Sequence, residues 1–311
     1  MGQLIKGEWQ RGWYEPDAKG AFIRPDSQFK KCREHPPERD RYHLYVSYAC
    51  PWAHRTIITR AIRGLEEAIP MTVVDPRMSD EGWGFHPAEP DPLFGAKYLR
   101  EIYQRAKRDY TGRVTVPVLW DKKDNTIVCN DSREVMRTLD LELNALATKD
   151  TTLAPKQLLP KIDETITALY HPINNGVYRA GFATKQGAYD EAVSDLFTAL
   201  DHWNGVLAKQ RYLCGDVFTE ADVCMFTTLL RFDLVYYAHF KCNVRRLQDY
   251  EHLWGFLRDV YQRPEVKKTC HLHDHIKVHY YWSQTTVNPT RIVPRGPSAY
   301  AEALGTPHER G

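Results

Sequence analysis

The chain has 311 residues, 42% of them hydrophobic and 26% charged, with 42 Lys and Arg against 40 Asp and Glu for a formal net charge of +2. That size suits one large domain or two ordinary ones, and the composition is that of a folded globular protein. The near-balance of charge argues against a dedicated nucleic-acid binder, which would show a basic face or tail.

Aromatic residues are plentiful, with 18 Tyr, 8 Trp and 11 Phe, enough to line a pocket for flat rings as well as a core. The 7 Cys are an odd number, widely spread and without a C-x-x-C pair, which predicts a reduced intracellular chain. The opening "MGQLIKGEWQ" lacks the apolar core of a signal peptide, and Lys6 stands where a myristoylation signal takes Ser or Thr. No run approaches the roughly 20 apolar residues of a membrane span. A soluble, cytosolic protein is expected, with no membrane or nucleic-acid partner.

Residues 1–40 are polar and rich in Gly, Pro and charge, and read as an N-terminal arm. A β-prone run, "YHLYVS" (42–47), leads into Cys50 and Pro51. The segment 51–69 then places Ala53, Ile57, Ile58, Ala61, Ile62 and Leu65 on one helical face. Pro51 suits the first helical position, where its missing N–H costs nothing. "MTVVD" (71–75) reads as a strand. After a loop-rich stretch, "RVTVPVLWD" (113–121) and "TIVCN" (126–130) flank the turn "KKDN". Pro117 inside the first run marks an edge strand or a special turn with a cis bond. "DSREVMRTLDLELNAL" follows as a helix with Asp131 as N-cap and Glu134 in capping-box position. Residues 41–148 therefore read β-α-β then β-β-α, a thioredoxin-like α/β domain.

From about residue 149 to 311 the strand signal stops and an all-α domain is predicted. Helical patterns cover "QLLPKIDETITALYHPINNGVYRAG", "QGAYDEAVSDLFTALDHWNGVLAKQ", "TEADVCMFTTLLRFDLVYYAHF" and "EHLWGFLRDVYQR". The third opens on Thr219 as N-cap with Asp222 able to reach back to its amide. The tail after Pro289 reads as an irregular extension.

Most cysteines are small buried hydrophobes, and Cys129, Cys214 and Cys224 fit that description. Cys50 differs, because a helix N-terminus stabilises a thiolate. Ala53 occupies the place where a dithiol oxidoreductase keeps its resolving thiol. A mixed disulfide formed at Cys50 must then be resolved by a small thiol from solution, of which glutathione is the abundant one. Asp131 can hold the ammonium of a γ-glutamyl group, Ser132 with nearby amides its carboxylate, and the Val116 backbone the cysteinyl part. Taken singly, Asp131 is a cap and Pro117 a kink; their order along the chain with Cys50 favours the site.

These features together resemble a glutathione transferase, and most closely the xi class, the glutathionyl-hydroquinone reductases. The matching stretches are "ACPWAHRT" (49–56), "GW" (82–83), "YTGRVTVPVLWD" (110–121), "NDS" (130–132), "NNGVYRAGFA" (174–183), "RFDLVYYAHFKCN" (231–243) and "HIKVHYYWSQTTVNPTRIVPRGP" (275–297). The resemblance implies a glutathione-transferase fold, glutathione as co-substrate and a homodimer. It implies Cys50 as nucleophile, and Trp83, Arg113, Val114, Thr115, Val116, Asp131 and Ser132 as glutathione contacts. It further implies Tyr178 as acid-base group beside an aromatic substrate, with Tyr236 and Tyr280 donating hydrogen bonds that favour the thiolate. Asp131 stands where the family more often has Glu, and "SYAC" where it has "SLAC". The implied reaction removes glutathione from an S-glutathionyl-hydroquinone through a Cys50–glutathione mixed disulfide. A broader thioltransferase or dehydroascorbate reductase, and a non-catalytic carrier of aromatic ligands, are the alternatives.

"CHLHDH" (270–275) gathers metal-ligand types, but no partner cluster stands at a metal spacing elsewhere, so no metal is expected. The resemblance instead assigns this segment to the substrate side and a closing strand. "KCNVRR" (241–246) reads as a solvated basic face. "LVYYAHF" (234–240) reads as helix core or the wall of an aromatic pocket.

Overall fold

The computed structural model describes residues 2–30 and 35–310; the arm's residues 31–34, Cys32 among them, lie outside the described residues. The chain divides into two compact units, Met1–Trp13 with Arg24–Thr152, and Tyr14–Ile23 with Leu153–Gly311.

The first unit opens on a hairpin that the polar composition hid: strands β1 (Gly2–Ile5) and β2 (Glu8–Arg11). The two-residue turn at Lys6 and Gly7 has φ of 51° and 81°, the left-handed pair that a tight hairpin needs. Its main sheet contains β3 (Tyr42–Val46), β4 (Met71–Val73), β6 (Val118–Asp121) and β7 (Thr126–Cys129). Their order is β4-β3-β6-β7, with β3 parallel to β4 and the other pairs antiparallel. Every residue of β3 and β6 is buried, as central strands of a covered sheet must be.

The apolar run 113–121 is two strands. β5 (Gly112–Arg113) pairs with β1, while β6 joins the main sheet. Between them the Val116–Pro117 bond is cis, as the position of Pro117 suggests.

Helix α1 (Pro51–Ile62) is shorter than the predicted 51–69. Gly64 adopts φ +64°, its N–H donates to Ala61 O at 3.3 Å and that of Leu65 to Arg60 O at 3.0 Å. This pair of bonds closes a helix with a left-handed residue and stops it there. A second helix, α2 (Leu99–Ala106), lies in the stretch read as loop. Helix α3 (Ser132–Arg137) begins at the expected Asp131 cap, whose Oδ1 accepts from Arg133 N at 3.0 Å and Glu134 N at 3.3 Å. Beyond it, buried Arg63 joins Asp140 at 3.0 Å and donates to the carbonyls of Lys149 and Thr151, tying the end of α1 to the chain that leaves the unit. Cys129 is disulfide-bonded, which corrects its reading as a mere small hydrophobe in a wholly reduced chain. Lys30 bridges Cys129 backbone to backbone, and Asn130 N donates to Phe29 O, so the arm runs along β7 at that point.

The second unit contains α4 (Leu159–Leu169), α5 (Gly176–Gly181), α6 (Gln186–Leu207), α7 (Glu220–Leu229), α8 (Glu251–Tyr261), α9 (Pro264–Lys267) and α10 (Tyr300–Leu304). Residues 14–23 belong to it: Tyr14 and Phe22 pack on Phe182, and Thr184 N donates to Gly20 O. The capping box of α7 is present, with Asp222 accepting from Thr219 N at 2.8 Å.

Two expectations are corrected. The segment read as a closing strand is π-helical, over Leu272–Lys277 and His279–Ser283. The tail is not wholly irregular: α10 carries Tyr300, which is buried and donates to Leu230 O at 3.3 Å. Among the described residues, no helix is long and apolar enough to cross a membrane.

Candidate functional site

In the first unit the site forms around the start of α1. Cys50 is its N-cap, in extended conformation, with its carbonyl accepting the first helical bond from His54 N at 2.9 Å. It is a half-buried thiol, outside any disulfide, and its Sγ lies 3.6 Å from Val116 O. Ala53 is fully buried in the next turn. Cys50 therefore has no second thiol on its own helix turn, and it faces the loop that precedes β6.

That loop is held from behind by Tyr103, whose hydroxyl donates to Thr115 O at 2.8 Å and accepts from Thr115 N. Val114 and Val116 are buried. The N–H of Val116 has no hydrogen-bond partner among the described residues, an uncommon state for an amide in a buried setting. Asp131 spends Oδ1 on the α3 cap, which leaves Oδ2 able to accept a ligand's donor. Ser132 is buried and its Oγ accepts from Arg55 Nη1 at 3.4 Å.

Trp83 is buried in the first unit's core, and its carbonyl accepts from Leu99 N. The Arg113 guanidinium donates to Gly2 O at 3.1 Å and Trp13 O at 2.8 Å. The N-terminal segment is thus tied to the residue that opens the loop before β6.

In the second unit, three expected residues from distant parts of the chain meet. Tyr178 on α5, Tyr236 in the π-helical turn Phe232–Tyr236 and Tyr280 in the turn His279–Ser283 are all buried. The Tyr178 and Tyr280 hydroxyls are 2.7 Å apart and those of Tyr236 and Tyr280 3.0 Å apart. Tyr280 is the centre of this chain of hydroxyls. Its neighbour Tyr281 packs edge-on against His239, and its carbonyl accepts from Asn288. Burial pushes the Tyr236 and Tyr280 phenols well above their ordinary range, with the neighbouring Tyr178 phenol acting in the same direction. They remain protonated donors at any physiological pH, a requirement for fixed stabilisers of negative charge.

Phe182 and Phe240 stand edge-on to Tyr178, and Phe240 stacks on Tyr236 with centroids 5.4 Å apart. Of "LVYYAHF", Leu234–Tyr236 is π-helical and Tyr236 and Phe240 are buried in this ring cluster. His239 stacks on Phe240 and pairs with Gln284 Oε1 at 3.0 Å. Burial holds it neutral, with a pKa lowered to about 4.

Sequence reasoning passed over Arg55, Tyr103 and His239. Arg55, five residues after Cys50 on α1, is buried because that helix is covered nearly all round. In "CHLHDH", the ligand atoms of His271, Asp274 and His275 come within 4.8 Å of one another; a hydrogen bond from His271 Nδ1 to Asp274 at 3.3 Å accounts for the closest pair. "KCNVRR" carries Arg245 and Arg246 paired with Asp201 and Asp249 at exposed positions, as a solvated face would.

Residues 49–142 match the family model for the N-terminal domain of glutathione S-transferase, and residues 186–259 that for its C-terminal domain. The fold is therefore that of a glutathione S-transferase, a thioredoxin-like unit followed by a helical one. The likeness runs further. The chain is 46% identical over 327 residues to the glutathionyl-hydroquinone reductase YqjG of Escherichia coli (strain K12), covering 100% of this chain and 98% of that protein. It is 43% identical over 304 residues to the glutathionyl-hydroquinone reductase PcpF of Sphingobium chlorophenolicum, covering 96% and 97%. Among solved structures, an Xi class transferase from Natrialba magadii superposes with TM-score 0.89 at 47% identity, covering 100% of this chain and 97% of that one. The glutathione-bound structure of YqjG superposes with TM-score 0.88 at 46% identity, covering 99% of each. The chain belongs to the Xi class of glutathione transferases, the glutathionyl-hydroquinone reductase family.

Proposed function

We propose that the protein removes glutathione from S-glutathionyl-hydroquinones, using Cys50 as nucleophile and a second glutathione as reductant. The observation that carries this reading is the placement of a lone thiol at the α1 N-cap, 3.6 Å from the carbonyl of Val116, whose own N–H is unpaired among the described residues. A cysteinyl residue pairing its backbone with Val116, as an added strand would, brings its sulfur against Cys50. The Asp131 carboxylate takes the ligand's ammonium, Ser132 its γ-glutamyl carboxylate, and Trp83 with Arg113, Val114 and Thr115 frames the tripeptide. Two relatives named as glutathionyl-hydroquinone reductases, and one solved with glutathione, support the assignment.

The Cys50 thiolate attacks the sulfur of the aryl thioether; the S–S bond forms and the carbon–sulfur bond breaks, its electron pair going to the ring carbon. Tyr178 delivers the proton that this carbon takes up. Tyr236 and Tyr280 hold the hydroxyl chain in place as donors. A glutathione thiolate then attacks the mixed disulfide, releasing oxidised glutathione and regenerating the Cys50 thiolate. A serine at position 50 has no such path, because an alkoxide does not form the disulfide.

The same reading takes glutathione as co-substrate, requires no metal, and places the protein in the cytosol as a homodimer. Light scattering at twice the chain mass is the expected result for assembly, and a monomer would contradict it. For the chemistry, Cys50→Ser is expected to lose hydroquinone release from a methoxy- or chloro-substituted glutathionyl-hydroquinone by more than about a thousandfold. Retention of full activity would remove Cys50 from the mechanism.

A further inference from the structure

Arg55 lies five residues after Cys50 on α1 and is only 3% exposed. Its guanidinium stands 4.4 Å from the Trp52 ring and donates, through Nη1, to Ser132 Oγ at 3.4 Å. Its buried Nε has no hydrogen-bond partner, and no ion pair within 4.0 Å joins it to a carboxylate among the described residues. A second guanidinium, that of Arg24, stands 4.9 Å from the same indole. An arginine cannot shed its proton to escape burial, and a buried charge without a counter-ion is strongly unfavourable.

Arg63, the other buried arginine among the described residues of this unit, has Asp140 at 3.0 Å. Arg55 by contrast is a buried cation that the described chain leaves without a carboxylate, and it touches the residue read as the carboxylate-binding serine. The guanidinium lies over the indole at 4.4 Å, and its planar fork of donors suits a carboxylate.

We propose that Arg55 is the specificity-determining cation of the ligand site, pairing with the γ-glutamyl α-carboxylate of glutathione beside Ser132. This rests on the reading of the site as a glutathione site and adds the residue that selects the amino-acid end. With Asp131 on the ammonium, one acid and one base read the zwitterion, while Cys50 and Val116 read the sulfur. Arg55 binds and positions; it takes no part in bond making.

The test is calorimetric titration of the full chain and its Arg55→Met and Arg55→Lys variants with two ligands. One is S-methylglutathione, which cannot form a disulfide with Cys50. The other is the same molecule with γ-aminobutyryl in place of γ-glutamyl, which lacks only the α-carboxylate. Removing one partner of a buried charge pair is expected to weaken S-methylglutathione by at least about thirtyfold in Arg55→Met, while the analogue changes by less than about threefold. Arg55→Lys, which keeps charge but not the planar fork, should fall between, with a reduced preference for the carboxylate-bearing ligand. An equal loss for both ligands would overturn the proposal and make Arg55 a tie between α1 and α3. If Arg55→Met fails to fold, the ligand preference of Arg55→Lys decides: unchanged preference overturns the proposal. If the unaltered protein binds neither ligand, the glutathione site itself is wrong, a distinct failure.

Discussion

Two substitutions at position 131 separate the two duties of that carboxylate. Asp131→Asn keeps an oxygen for Arg133 N and Glu134 N, and Asn caps a helix as well as Asp. Its melting temperature should stay within about a degree or two of the parent's, because cap strength is nearly equal. Its KM for glutathione should rise about tenfold or more, since a charged partner has become neutral. Asp131→Ala should suffer both losses, with about 1 kcal/mol of stability gone with the cap. A melting temperature that falls equally in both variants would assign Asp131 to the fold alone. For the tyrosine chain, Tyr178→Phe should slow hydroquinone release by about a hundredfold or more while formation of the thioether complex is preserved, as expected for loss of a general acid; an unchanged rate would move the proton donor elsewhere. At this scale the sequence was informative where chemistry is local. Cys50 before Pro51, without a thiol at Ala53, could be read as a one-cysteine mechanism. Arg55 could not, because its burial depends on α1 being covered nearly all round, which only the packed unit reveals. Tyr178, Tyr236 and Tyr280 lie up to 102 residues apart, and only family resemblance pointed to them.

Elements with a strong local signal appeared where expected. The strand at 42–46, the hairpin around "KKDN", the long helix α6 and the Thr219 cap all follow from period, turn residues and capping chemistry. The misplaced ones had weak or competing signals. Each strand of the opening hairpin has 4 residues, and β1 pairs on its other edge with β5, more than 100 residues away. Helix α10 has 5 residues and is held by buried Tyr300 and Leu304. Helix α1 kept its apolar face to Leu65, but Gly64 had already ended it. The α7 capping box allows a sharp test. Asp222 accepts from Leu213 N and Thr219 N at 2.8 Å and from Thr219 Oγ1 at 3.1 Å, all buried. Asp222→Ala would leave three buried donors unpaired and is expected to cost about 3 kcal/mol. Chemical denaturation should show that loss; a change below about 0.5 kcal/mol, the ordinary scale of an inert surface site, would mean the box is incidental.

For the molecule as a whole, pH is the revealing variable. Burial lowers the pKa of His43 and of His239 to about 4 each. A base whose folded pKa lies below its unfolded value, near 6.5, contributes stability that is complete above pH 6.5 and lost as pH falls toward 4. Each shift corresponds to about 3 kcal/mol. Asp222, pushed up to about 6 by burial, acts in the opposite sense, gaining for the fold as it protonates. The clean readout is therefore a difference: the melting temperature of the parent should fall more steeply from pH 7 to pH 4.5 than that of His43→Asn/His239→Asn. Parallel profiles would contradict the assignment.

The central claim is that one thiol carries the glutathionyl group between two partners. Its most direct test is a single turnover, mixing the protein with one equivalent of a glutathionyl-hydroquinone and no free glutathione, followed by intact-protein and peptide mass spectrometry. The account predicts one glutathionyl group per chain, on Cys50, formed in step with one equivalent of free hydroquinone and released by added glutathione. Hydroquinone appearing without that adduct, or an adduct on any other cysteine, would contradict it.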